Sequence, residues 1–183
     1  MSSDRILAWH FLTDDGLDRN GNEVEIGQIT SVEGPLKICE HGLHWSERLI
    51  DALQYAPGSV LCRVEAWGDM QRESDKGCSR HRKVLAKADV SAVLHEFACR
   101  VAEQALKDAG VKDERSWAAI STKRRWLAGD ATYEELEAAA YVAAWAAAER
   151  AAAWAAAEGA AAAKDRQNEL LTSMVMELAE FKP

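Results

Sequence analysis

GSVLCRVEAW, residues 58–67, alternates Val60, Cys62, Val64 and Ala66 with Leu61, Arg63, Glu65 and Trp67. A period of two with one wholly apolar set predicts a half-buried β-strand whose smaller side chains face a core. Two further runs of strand length, RILAWHFL (5–12) and HRKVLAKADV (81–90), lie on either side of it. Between the first two, DDGLDRNGNEVEIG (14–27) is rich in turn residues, and its Asn20-Gly21 pair is the dipeptide of a tight hairpin. Pro35, Pro57 and most of the glycines also precede residue 90. The pattern predicts a β-rich α+β domain over residues 1–90.

Beyond residue 90 the chain has no proline before Pro183, and helix signals replace strand signals. Asp89 or Ser91 can cap a helix to about 108, with Val93, Phe97, Val101 and Leu106 along one side and Gly110 closing it. Asp113 can start a second helix, 113–128, that carries Trp117, Ile120 and Leu127 and stops at Gly129. Thr132 and Glu135 form the T-x-x-E capping box of a third, expected to run from 132 to about 180. Residues 138–163 hold 18 alanines in 26 positions, including the near-repeat WAAAERAAA (145–153) and WAAAEGAAA (154–162). Alanine is the best helix former. Nine residues turn a helix through about 900°, so the indoles of Trp145 and Trp154 are expected on opposite sides. Gly159 could interrupt this helix, although the spacing of Leu170, Leu171, Met174, Met176 and Leu178 continues it. Residues 91–183 are therefore expected to be all-helical, either as a structural bundle or as a homodimer interface formed by the close-packing C-terminal helices.

The 183 residues are 48% hydrophobic and 28% charged, with 22 basic against 30 acidic side chains. That length suits one or two small domains. No apolar run reaches the roughly 20 residues that span a bilayer, so no membrane association is expected. A net charge of −8 disfavours direct nucleic-acid binding, which depends on neutralising phosphates. No basic region followed by an apolar run marks the N-terminus as a secretion signal. The expected location is the cytoplasm of a bacterial cell, where Cys39, Cys62, Cys78 and Cys99 stay reduced.

Reactive side chains concentrate in ICEHGLHWS (38–46), where Cys39, His41 and His44 lie within six positions, and Cys78 and His81 form a C-x-x-H pair. Cys39, His41, Cys78 and His81 could supply a tetrahedral zinc site, but C-x-H-x-x-H is not a standard ligand spacing, and no metal is the preferred expectation. The motifs G-x-S-x-G, H-E-x-x-H and G-x-x-x-x-G-K-[ST] are absent, which removes the enzyme classes that depend on them. From Lys76 to Lys87 there are five basic residues and no acid, whereas residues 1–51 carry ten acids against four bases. This run could meet a phosphate or dinucleotide, but its preferred reading is a solvated edge strand kept from pairing by its charges.

HGLHWSERLIDALQYAPGSVLCRVEAWGDM (41–70) resembles the central part of the ADP-ribosyltransferase fold of the poly-ADP-ribose polymerase kind. Gly42-Leu43-His44-Trp45-Ser46 corresponds to that family's G-h-Y-F-[AS] strand. Ala52 and Tyr55 correspond to the following helix, and Val60 to Val64 with Gly68-Asp69-Met70 to the strand after it. The resemblance implies an NAD cleft formed by His10, Gly42, His44 and Tyr55. In it His10 would hold the adenosine ribose and His44 would replace the tyrosine that stacks on nicotinamide, making these two the catalytic candidates. Arg63 or Arg80 would contact the dinucleotide. The family's catalytic glutamate is expected on a later strand, where Arg80, His81 and Arg82 stand instead.

Over nearly its whole length the chain is also similar to an uncharacterised family of small phage and prophage proteins. Their C-x-x-G-[FL]-H-[FW]-[CS] motif is Cys39 to Ser46 here. Their Asp-Lys pair is Asp75-Lys76, and their alanine- and tryptophan-rich tail ends in Q-N-x-x-L, here Gln167 to Leu171. That resemblance implies a viral accessory protein in a bacterial host. The first functional expectation is thus a binder that inhibits a host protein or ribonucleoprotein complex, as an anti-CRISPR or other anti-defence factor does. The second is an NAD-dependent ADP-ribosyltransferase-like enzyme, and the third a helical structural or assembly module.

Overall fold

A computed structural model describes residues 5–151 and 160–182. In chain order the elements are β1 (Ile6–Leu12), β2 (Ile29–Ser31), β3 (Leu43–Trp45), α1 (Leu49–Leu53), β4 (Val60–Arg72), β5 (Gly77–Asp89), α2 (Ser91–Asp108), α3 (Glu114–Leu127), α4 (Tyr133–Ala151) and α5 (Ala160–Met176). A short 3-10 turn, Ala179–Phe181, follows. The protein is α+β, with an antiparallel sheet in its N-terminal half and helices in its C-terminal half. Residues Met1–Ser91 with Arg166–Pro183 form one compact unit, and Ala92–Asp165 another.

β4 and β5 are the two long strands, paired from Val60↔Asp89 to Arg72↔Gly77 as a hairpin. The alternation in 60–66 is realised on one face, where Val60, Cys62, Val64 and Ala66 are buried in one cluster with Ala8, Leu12, Trp45 and Val84; on the other face Leu61 is buried as well, at 0% exposure, so only Arg63 and Glu65 there are partly exposed. β1 lies along the outer edge of β4, from Ile6↔Ala66 to Leu12↔Val60. β5 takes two short strands on its other edge, β2 against Lys83 to His81 and β3 against Ser79 to Gly77. The sheet then turns back on itself, because Trp9 and Ser46 exchange both backbone hydrogen bonds, at 2.9 and 3.0 Å. The residue that follows β3 is thereby tied to β1.

This pairing corrects the expectation of a solvated edge strand at 76–87. Residues 77–83 are paired on both edges, so β5 is interior there. Its charges are placed one by one. Arg80 is held by Asp69 at 2.9 Å, Lys87 donates to the Val24 carbonyl at 2.6 Å, and Arg82 is buried at 8% exposure. A charge run predicts solvation only when no neighbouring carbonyl or carboxylate answers it.

The end of the chain also departs from a simple division at residue 90. Within the sheet-bearing unit, Leu171, Met174 and Val175 are buried, and Phe181 lies 5.9 Å from the Trp9 ring. The Asn168 side-chain oxygen accepts from the Ile50 backbone N–H at 3.1 Å. The apolar spacing at 170–178 therefore serves the sheet, and α5 ends at Met176 rather than near 180.

The caps of α2, α3 and α4 are those expected. Asp89 accepts from Ser91 N–H at the start of α2, and Gly110 closes it in a left-handed conformation. Asp113 caps α3 by accepting from Arg115 N–H. Thr132 and Glu135 bond reciprocally, at 2.7 and 3.2 Å. Arg124 on α3 ties that helix to α2 by ion pairs with Glu96 and Glu103. The Trp145 side chain, Trp154 and the passage through Gly159 lie outside the described residues.

Gly77 is required by a close approach. A Cβ there would stand 2.6 Å from Cζ2 and 2.8 Å from Cζ3 of Trp45, a ring 3% exposed. Gly77→Ala is expected to lower the unfolding free energy by about 1–3 kcal/mol, the usual cost of overpacking, as read from urea denaturation.

Candidate functional site

A cavity of about 350 Å³ opens where β1, β3 and β5 meet the 14–27 loop. This is within the usual range of roughly 300–1,000 Å³ for small-ligand sites. Its wall includes His10, Gly42, His44 and Tyr55, the four residues assigned from the resemblance, although they come from three separate segments of chain. The Trp9–Ser46 pairing is the cause, since it sets the end of β3 beside β1.

The two imidazoles differ. His44 Nε2 accepts the Cys39 backbone N–H at 2.8 Å, and the ring makes a second bond to the Gly42 backbone. An acceptor Nε2 places the proton on Nδ1, so both nitrogens are committed and the ring face is what His44 can offer. This bond also explains Cys39, the one described non-glycine residue with a positive φ, 69°. Its strained backbone points the N–H at the ring. The His10 ring, by contrast, has no hydrogen-bond partner among the described residues and is available from the cavity. Burial holds its pKa well below 6.5, assisted by the positive charges of Arg82 and Arg19 and by His44. His44 is lowered too, first by burial and then by Arg82 and Arg19.

Arg82 is the residue the sequence concealed. Its guanidinium lies in the cavity wall, donates to the His44 carbonyl at 2.6 Å, and has no carboxylate within ion-pair distance among the described residues. Burial pushes its pKa down to about 10. Arg19, exposed, and Lys76, half-buried, belong to the same wall. Arg19 donates to the Tyr55 carbonyl at 2.9 Å, and the Lys76 ammonium lies 5.0 Å from the centre of the Tyr55 ring. The Tyr55 hydroxyl is occupied by Asp75 at 2.6 Å. Neither Arg63 nor Arg80 lines the cavity, contrary to expectation. Arg63 stacks on Trp9 at 4.2 Å, and Arg80 is engaged by Asp69 and by the Val32 and Gly34 carbonyls.

Two carboxylates not anticipated from the sequence, Asp18 and Glu40, also line the wall. Burial opposes ionisation of Asp18, but hydrogen bonds from Asn22 and Asn20 outweigh it and hold the carboxyl below its ordinary value. Glu40 is paired with Lys37 at 2.6 Å. The Asn20-Gly21 signal marked the turn correctly, with Leu17 bridged to Glu23, but gave no sign that the turn delivers Asp18 and Arg19 to a cavity.

The zinc alternative is not assembled. His41 Nε2 donates to the Glu33 carbonyl at 2.6 Å, and His81 stacks on Trp67 with Nδ1 at 2.8 Å from Ser31 Oγ. Cys78 is buried and Cys39 exposed. Among the described residues no group of three or more His, Cys, Asp or Glu side chains could hold a metal ion. All four cysteines are free, and burial pushes the Cys62 thiol up to about 11.

Residues 6–96 match a family described as Domain of unknown function (DUF7666). The matched span holds all five strands, α1 and every residue of the cavity wall. No curated protein and no solved structure matches the chain. Among the described residues no helix is long and apolar enough to cross a membrane.

The depressed imidazoles set a pH dependence. A histidine whose folded pKa lies below its unfolded value of 6.5 is bound by more protons when unfolded, so stability rises with pH in that interval. The stabilisation is present above 6.5 and is lost as pH falls from there towards the folded pKa. Melting temperature is expected to fall between about pH 7 and about pH 5, and His10→Gln is expected to reduce that slope.

Proposed function

We propose that the sheet-bearing unit is an NAD-binding module of the ADP-ribosyltransferase kind. The observation that carries this reading is the convergence of His10, Gly42, His44 and Tyr55 on one cavity. These residues were assigned from motif order alone, and chain separation gave no reason for them to meet. The local chemistry supports the same reading. His10 presents a neutral imidazole with a free nitrogen, suited to a ribose hydroxyl. The His44 ring, with both nitrogens tied to backbone, is a fixed flat surface for a planar base.

Gly42 supplies close backbone. Its φ is 140°, and an added Cβ would stand 2.9 Å from Cys78 Sγ, so a side chain there would displace the segment that presents His44. The buried Arg82 guanidinium answers the negative charge of a dinucleotide. NAD, when bound, supplies a transferable ADP-ribosyl group. Asp18, ionised and fixed by Asn22, is a carboxylate in the same wall that would stabilise positive charge on its sugar.

A phage-encoded inhibitor of a host protein or ribonucleoprotein is the competing reading, and the net charge of −8 favours it. Thermal unfolding separates the two. NAD at about a hundred times Kd is expected to raise Tm by about 5–10 °C, with His10→Ala and His44→Ala each weakening the shift while remaining folded by circular dichroism. No shift with millimolar NAD, together with NAD-independent retention of one host protein from a bacterial lysate, would overturn the nucleotide reading in favour of the inhibitor.

A further inference from the structure

A guanidinium carries five N–H donors and a permanent charge, and burying it without a counter-ion is costly. Arg82 is buried at 8% exposure, and its hydrogen-bond partner among the described residues is a single neutral carbonyl, that of His44 at 2.6 Å. No carboxylate lies within ion-pair distance of it among the described residues. The carboxylate whose charge reaches it is Asp18, whose two oxygens are already taken by the backbone of Asn20 and the backbone and side chain of Asn22. Elsewhere on β5 the arginine problem is solved internally: Arg80 has Asp69 and two carbonyls. At Arg82 no ion-pair partner stands among the described residues, and the guanidinium borders a cavity.

We propose that Arg82, with Arg19 and Lys76 on the same wall, forms an oxyanion subsite that takes the phosphate or pyrophosphate group of a ligand. The inference rests on the cavity being a ligand site, as the NAD reading requires, but not on nicotinamide or adenine. The charges of the wall agree with it. Glu40 is paired with Lys37, Lys76 with Glu73 at 3.4 Å, and the ionised Asp18 is held by hydrogen bonds of its own turn, so Arg82 and Arg19 are the wall's cations without an ion pair among the described residues, and Lys76 adds a third, shared with Glu73. Phosphate suits the arrangement because a guanidinium fork and an ammonium can share its oxygens. The buried Arg82 provides the fixed anchor, and the exposed Arg19 provides attraction from solvent.

The test is calorimetric titration of the full chain with inorganic phosphate and with pyrophosphate, at ionic strength held constant with chloride. Saturable binding of one or both is expected. Arg82→Met is expected to weaken it by about ten-fold or more, and the double variant Arg19→Gln/Lys76→Gln by about three-fold, more at low salt than at high salt. Because Arg82→Met removes an uncompensated buried charge, its Tm without anion is expected to equal or exceed that of the unaltered chain. If Arg82→Met does not fold, the double variant and the unaltered chain decide the matter. Absence of saturable binding of either anion, or equal affinity in the unaltered and variant chains, overturns the subsite.

NAD and nicotinamide riboside, which lacks the pyrophosphate, separate this failure from that of the NAD reading. NAD binding indifferent to Arg82→Met and to loss of the pyrophosphate would sink the subsite alone. Phosphate binding without NAD binding would sink the dinucleotide reading and leave the subsite standing.

Discussion

The double backbone hydrogen bond between Trp9 and Ser46 is the constraint from which the rest of the sheet-bearing unit follows. β3 is only three residues long and is held on one side by β5. A strand so short would be a weak edge by itself. Tied also to β1, it closes the sheet and turns Leu43 and Trp45 into the core while His44 faces the space between the strands. The same closure sets His44 beside His10 and lays the Arg82 guanidinium against the His44 carbonyl. Gly77 allows the Trp45 ring to lie against the backbone of β5, which no other residue would permit without displacement.

The cavity is electropositive inside an acidic chain. Burial lowers the pKa of His10, His44 and Arg82 alike; the positive charge of Arg82 lowers both imidazoles further, whereas Cys62 and Asp18 act on Arg82 in the opposite direction. The imidazoles respond by staying neutral, a route open to histidine near neutral pH and closed to arginine. Arg82 therefore keeps its charge at neutral pH even with its pKa lowered, and its free energy depends on what else enters the cavity. This asymmetry, two groups that can shed a proton around one that cannot, is what makes the site an anion site rather than a general polar hollow.

The strands and helices were legible because their signals are local. The alternation at 60–66 needed only one buried face, and the caps at Asp113, Thr132 and Glu135 needed only the backbone donors of their own first turns. Reading failed where a residue's environment came from elsewhere in the chain. The basic run at 76–87 carries no mark of being interior, because strand pairing on both edges is supplied by β2, β3 and β4. Likewise the apolar spacing at 170–178 shows a helix with a buried face but not that this face belongs to the sheet. The four cavity residues were found through motif order, whereas Asp18, Arg19 and Arg82, which complete the wall, stand in no motif.

By itself the amino-acid order determined the class of each segment, the positions of turns and caps, and the lack of a standard metal-ligand spacing. Each of these depends on propensity, periodicity or spacing within about ten residues. Only the tertiary structure decided which strand lies inside, which carboxylates reach the cavity, and that one arginine is buried with no ion-pair partner among the described residues. Burial and charge compensation are properties of groups brought together from distant parts of the chain, and no local pattern encodes their meeting.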